Sequence, residues 1–195
     1  MGPHSGLAPV GAGAAPPQGD KAAASIEDST RLEYAESLVS EVPLTGQMLS
    51  LQEISDRIQI QDLLTRYALA IDTKDWVLLD TCFLPDATID YTSTGGRKGS
   101  YAEIRKWLAE ALAPFVATMH CLGNTTVDLE GDSARARTYL WNPMGYQKSD
   151  GEIHWFTVSA HYVDDIARTP HGWRIRHRVI ENGTIIGGLP EAPRS

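Results

Sequence analysis

The apolar residues of this chain change period at Pro114, and that change limits the folds open to it. Upstream, Ile54, Ile58, Leu63, Leu64, Tyr67, Ala68 and Ile71 recur at helical spacing, which predicts one amphipathic helix from Leu51 to Ile71. Ser50, with Glu53 three residues on, reads as its capping box. A second helix is expected from Thr73 to Phe83, with Trp76, Leu79 and Phe83 on one face and Pro85 as its stop. The stretch "DATIDYTS" alternates like a strand and ends at Gly95-Gly96. A third amphipathic helix, "SYAEIRKWLAEALAPF", uses Ile104, Trp107, Leu108, Ala111 and Leu112. Beyond Pro114 alternation takes over. Two strands meet at a Glu130-Gly131-Asp132 turn, and two more, "EIHWFTVSAHYVDDIAR" and "GWRIRHRVIENGTII", meet between Thr169 and Gly172. Helices first and a strand meander afterwards predict an α+β domain, with helices on one face of a mainly antiparallel sheet.

With 42% apolar residues, the 195-residue chain can bury one sizeable core. A formal charge of −8 argues against the basic footprint of a nucleic-acid binder and against a polybasic membrane-surface segment, so neither partner is expected. No apolar run approaches the roughly eighteen residues of a membrane span. Cys82 and Cys121 sit in apolar patterns without framework spacing, so reduced thiols and a cytoplasmic setting are expected. Residues 1–48 stand apart, with Gly, Ala and Pro dominating the first half and six acids against two bases giving the segment −4. They read as a disordered or loosely packed extension with a short helix around Thr30 to Ser40, which leaves 49–190 as the folded domain.

Strand parity then sorts the candidate site residues. In the last strand Arg174, Arg176 and Arg178 alternate with Trp173, Ile175, His177 and Val179. A half-buried strand puts its arginines in water, so His177 is expected to face the helices. In the strand before it, Trp155, Thr157, Ser159, His161 and Val163 share one face, while Phe156, Val158, Ala160 and Tyr162 share the other. Both faces are apolar, and the pattern leaves open which is inside. His120 lies within "ATMHCLGNTT", a strand-like stretch, where it is either a core histidine bonded to a backbone carbonyl or a working base. Asp72 ends the first helix, where the macrodipole disfavours a carboxylate, so it either looks outward or is held inside by a specific partner. A histidine would be a fitting partner, because an Asp accepting from one ring nitrogen fixes the tautomer and makes the other a better base. No HExxH or CxxC spacing occurs, and no metal site is expected.

Three stretches, "IQIQDLLTRYALAIDTKDWVLLDTCFLPDATIDY", "TMHCLGNTTVDLEGDSARARTYL" and "HGWRI", together resemble the SnoaL-like branch of the nuclear transport factor 2-like superfamily. The resemblance spans Leu51 to Gly188 and implies a cone-shaped α+β barrel, a curved sheet wrapped on the N-terminal helices with a pocket in its mouth. It is similar in particular to scytalone dehydratase and the hexachlorocyclohexane dehydrochlorinase. That similarity implies Asp72 and His120 as a catalytic pair, with Tyr67 and Tyr91 assisting a carbonyl. The dehydratase's second pocket histidine has no direct counterpart. Asn142 takes that position, with His161 or His177 as replacements from neighbouring strands, and Trp107 is expected in the pocket wall.

The function this implies is a cofactor-independent lyase acting on a small hydrophobic molecule, such as a polyketide or terpenoid secondary metabolite, in a homodimer or homotrimer. An aldol cyclase or isomerase on the same fold is one alternative. A non-catalytic ligand-binding or accessory subunit is the other.

Overall fold

The computed structural model describes residues 48–188; apart from Met48, the extension expected over residues 1–48 and the short helix expected in it lie outside them. Helix α1, Leu51–Asp72, begins at the predicted capping box, where the Ser50 hydroxyl accepts from the Glu53 N–H and Glu53 accepts from the Ser50 N–H. Its inner stripe is Ile60, Leu63, Leu64, Tyr67, Ala70 and Ile71. Ile54 and Ile58 do not belong to it and are 42% and 57% exposed. At roughly 100° per residue they fall on the far side of the helix from Tyr67, and Ile60 fills the place they were expected to hold.

The second helix is shorter than the spacing suggests. α2 is Trp76–Asp80, opened by Asp75, whose carboxylate caps the Leu78 N–H. Phe83 belongs instead to strand β1, Phe83–Asp90, and Pro85 sits within it. The pairing of β1 is irregular between Phe83 and Thr88, so the missing proline N–H is not needed there. A 3-10 turn at Thr92–Thr94 leads to β2, Lys98–Ser100, and then to α3, Tyr101–Ala111, which has its own capping box at Ser100 and Glu103. The remaining strands are β3 (Phe115–Thr118), β4 (Cys121–Glu130), β5 (Ser133–Gln147), β6 (Ile153–Thr169) and β7 (Gly172–Ile186).

The seven strands form one sheet in the order β2-β1-β7-β6-β5-β3, with β4 also on β5. Only β1 and β7 run parallel; every other pairing is antiparallel. Bulges or irregularities interrupt four strand pairs and bend the sheet around α1 and α3. The result is the curved α+β cone expected from the sequence. One continuous core joins the inner stripe of α1 to Ile104 and Leu108 of α3 and to Leu140, Phe156, Ile166 and Ile175 of the sheet. No helix among the described residues is long and apolar enough to cross a membrane.

One bulge overturns the reading of the last strand. Asp165 pairs with His177 and Ile166 with Ile175, so two steps along β7 match one along β6. Parity flips there. Trp173 and Ile175 face the core, as expected, but beyond the bulge Arg178 is inside and His177 is outside. His177 Nδ1 lies 2.6 Å from the Thr88 hydroxyl on the outer surface, so it does not face the helices. In β6 the inner set is Phe156, Ala160, Tyr162, Asp164 and Ile166, with Val158 beside them, which settles the face that the sequence left open.

Candidate functional site

A cavity of about 350 Å³ opens between α1, α3 and the concave face of the sheet. Its walls are apolar: Trp107 and Leu112, Phe115, Phe156, Val158 and Ile185. Its rim is the turn carrying Gly95 and Gly96, held in place where the Gly183 N–H donates to the Ser93 hydroxyl. Only glycine fits at 183, because a Cβ there would collide with the Ser93 backbone. The polar side chains that line the cavity include Tyr67, Tyr91, Tyr162, His120 and Asn142.

Asp72 and His120 are brought together. The chain leaves the sheet between β3 and β4, which frees the His120 N–H to donate to Asp72 Oδ2 at 2.8 Å. The ring follows, with Nδ1 2.6 Å from Asp72 Oδ1, and the Thr118 hydroxyl donates to the same oxygen at 3.0 Å. Three donors thus hold a carboxylate that the helix end alone would disfavour. Burial pushes the Asp72 carboxyl up, but the bonds from His120 and Thr118 outweigh it and hold it below the usual aspartate range. An ionised carboxylate only accepts, so Nδ1 carries a proton, and in the neutral ring Nε2 is then the acceptor. Nε2 makes no hydrogen bond among the described residues, and the His120 side chain, 6% exposed, lines the cavity.

Facing the histidine is a chain of phenols. Tyr67 Oη lies 3.0 Å from Tyr91 Oη and 3.3 Å from Tyr162 Oη, and the Tyr67 ring meets the His120 ring edge-on at 6.0 Å. Burial raises all three phenol pKa values, so the hydroxyls are protonated donors at neutral pH. Behind them lies Arg178, its guanidinium 4.0 Å from the Tyr67 ring centroid and 4.1 Å from that of Tyr162. Asp164 pairs with it through bonds of 2.6 and 2.7 Å, and its Nη1 has no partner among the described residues.

The other expected residues divide. Trp107 lines the cavity. Asn142 does too, and its side-chain oxygen accepts from the Met119 N–H at 3.2 Å, which turns its NH₂ toward the open space. His161 and His177 do not reach the cavity. His161 lies on the outer face against Tyr139, with ring centroids 4.3 Å apart, and His177 is the outward residue created by the β7 bulge. Sequence reasoning missed Tyr162, Asp164, Arg178 and Thr118. Tyr162 and Asp164 share parity with Phe156 and Val158, so choosing that face as inner would have found them. Nothing in the alternation announces Arg178, because a bulge carries no fixed signature. Among the described residues no group of three or more His, Cys, Asp or Glu is arranged to hold a metal.

The SnoaL-like domain family matches residues 52–179. The chain belongs to this family. An uncharacterized protein of Mycobacterium tuberculosis is 43% identical over 136 residues, covering 70% of this chain and 91% of its own length. A scytalone dehydratase-like protein of Passalora fulva is 26% identical over 84 residues, or 43% of this chain and 49% of that protein. Among solved structures, a candidate aromatic ring hydroxylase from Novosphingobium aromaticivorans is 31% identical with a TM-score of 0.60, covering 67% of this chain and 94% of its own. A type 2 hexachlorocyclohexane dehydrochlorinase shares the fold at 20% identity, with a TM-score of 0.59 and coverage of 73% and 97%. The nuclear transport factor 2-like cone inferred from the sequence is thus the fold of these SnoaL-like proteins.

Proposed function

We propose that this chain is an acid–base lyase that removes a proton next to a carbonyl of a small, uncharged, largely apolar molecule and eliminates a β-substituent from it. One observation carries the reading: the Asp72–His120 pair presents a free imidazole nitrogen to an apolar cavity whose opposite wall is a row of phenol donors. No Lys or Arg among the described residues lines the cavity, so a carboxylate or phosphate group on the substrate would find no countercharge from them. Polar groups gather around one end, which suits a molecule with one oxygenated end and an apolar body.

In this mechanism Nε2 of His120 takes the Cα proton, and the C–H electron pair becomes the enolate double bond. Asp72 stabilises the imidazolium through Nδ1–H. The developing oxyanion accepts hydrogen bonds from the phenols, whose chain is polarised by the buried Arg178, with the Asn142 amide as a further donor. Collapse of the enolate re-forms the carbonyl, makes the new C=C bond and expels the β-hydroxyl, which leaves as water with the proton from His120. A tuned base contributes about 10²–10⁴-fold, and preorganised donors at an oxyanion add about 10²–10³ per donor. Aldol cyclisation and isomerisation begin with the same proton removal and differ in what the enolate does next.

The test is deuterium incorporation at Cα from D₂O, followed by mass spectrometry across a panel of hydrophobic β-hydroxy ketones, with enone absorbance reporting elimination. Exchange with enone formation identifies the lyase, and exchange alone points to the isomerase or cyclase reading. Exchange rates equal in the wild type and in His120→Ala exclude the proposal. In that case the non-catalytic binding module is the better account.

A further inference from the structure

We infer that Lys74 is a positioning residue: it ties the edge strand β3 to the end of α1 and so fixes where the His120 ring meets its acid. The inference rests on the proton-abstracting reading of the Asp72–His120 pair, but the contacts behind it involve no substrate.

Helix α1 closes with two crossed backbone bonds, Lys74 N–H to the Ile71 carbonyl at 3.1 Å and Asp75 N–H to the Ala70 carbonyl at 2.8 Å. In this closure the residue just past the helix turns left-handed, and glycine is its usual occupant because a Cβ is strained there. Lys74 fills that place with φ of 55°. Its side chain has a use that glycine could not supply: Nζ donates to the Phe115 carbonyl at 2.9 Å.

That carbonyl is the first on β3, a strand of four residues with β5 as its strand neighbour. The pairing with β5 is irregular between Phe115 and Ala117, so the sheet holds this end of β3 weakly. At its other end the Thr118 hydroxyl donates to Asp72 Oδ1. The two ends of β3 are therefore fastened to residues 74 and 72, two positions apart at the helix end. His120 follows Thr118 by two residues, and Phe115 is part of the cavity wall. Without the Lys74 bond the strand can pivot about Thr118, and both the Asp72–His120 contact and the wall loosen together.

Three variants separate this role from mere stabilisation. Lys74→Gly removes the tether and suits the backbone, Lys74→Met removes the donor and keeps the strain, and Lys74→Arg restores a donor of similar reach. The readouts are exchange of the His120 Nδ1 proton with water in ¹⁵N-histidine-labelled protein and the ¹³C titration of the Asp72 carboxyl. Lys74→Gly and Lys74→Met are expected to speed that exchange about tenfold or more, as local opening predicts, and to move the Asp72 midpoint up toward the ordinary aspartate range. Lys74→Arg keeps both near wild type, and the melting temperature of Lys74→Gly does not fall. An exchange rate unchanged in both tether-less variants overturns the inference, whatever happens to stability. Failure of the catalytic reading shows separately, as deuterium incorporation into substrate that does not depend on His120.

Discussion

Asp164 and Arg178, on neighbouring strands, share two hydrogen bonds of 2.6 and 2.7 Å with neither side chain exposed to solvent. Removing one partner of such a pair strands the other charge in a medium that cannot solvate it. Arg178→Met is therefore expected to lower folding stability by about 3–5 kcal/mol, measured by urea denaturation. The double variant Asp164→Leu/Arg178→Met should recover a good part of that loss. A single variant as stable as wild type would show that the pair is not held dry in solution.

The same cation polarises the phenols, so a variant that tolerates its loss becomes informative about chemistry. If the double variant folds, its turnover should fall by about 10²-fold or more while a neutral, apolar product still binds. Calorimetric titration of that product alongside turnover separates the two effects. Equal losses in binding and turnover would mean that Arg178 serves only to shape the cavity.

Asp72→Asn keeps the shape of the dyad and removes its charge. The amide's one oxygen can still accept from the Thr118 hydroxyl, but its NH₂ then faces the His120 N–H, and the uncharged group no longer stabilises an imidazolium. Turnover should drop by about 10²–10⁴-fold, with a melting temperature only modestly lowered by the one N–H left unmatched. Near-normal turnover in this variant would leave His120 without its proposed acid partner.

How far the sequence disclosed this site follows from two kinds of periodicity. Helix parity located Tyr67 and Asp72 because an uninterrupted helix keeps its phase for 22 residues. The capping boxes at Ser50 and Ser100 are local chemistry and were equally plain. Strand parity is legible only up to the first bulge. The extra residue in β7 between Ile175 and His177 exchanged the roles of His177 and Arg178, turning a surface arginine into the buried cation of the site. His161 was misplaced for a different reason: both faces of β6 are apolar, so alternation could not say which one is concave. His120 was recognised within a strand-like stretch, but the break that frees its N–H for Asp72 has no turn residue to mark it.

Acid sensitivity should concentrate at the far end of α1. Asp56 is buried there between Arg168, which donates to both carboxylate oxygens at 2.7 and 2.6 Å, and the Trp173 indole N–H. The Arg168 guanidinium holds its pKa down to about 2. A depressed carboxylate pKa contributes stability that is present above the unfolded value of 3.8 and lost as pH falls through the folded one. The melting temperature of Arg168→Met should therefore lie well below wild type at neutral pH, with the gap closing as pH falls from 4 to about 2. A gap independent of pH over that range would assign the loss to the Arg168–Trp173 stacking at 4.3 Å instead.

The convex face of the sheet carries the last prediction. Tyr139, Trp141, Trp155 and Ile186 are 43–54% exposed there, a run of large apolar side chains on adjacent strands. Among them His161 is only 8% exposed, and neither of its ring nitrogens has a partner among the described residues. An unsatisfied buried polar group costs about 1–3 kcal/mol, which an acceptor or donor from a second copy can recover. We propose that the chain self-associates through this face. Burial pushes the His161 pKa down, helped by nearby Arg137 and opposed by Glu181, so the neutral ring is the form an interface accepts. Association is then full while the ring is neutral and weakens only as pH falls through the lowered pKa of the folded monomer, below the ordinary histidine range. Sedimentation velocity in a pH series from about 7.5 downward should show an oligomer that loosens in acid, and Trp141→Glu with Trp155→Glu should give a folded monomer throughout. A wild-type monomer at about 100 μM, far above the micromolar constants that standard interfaces reach, rules the assembly out.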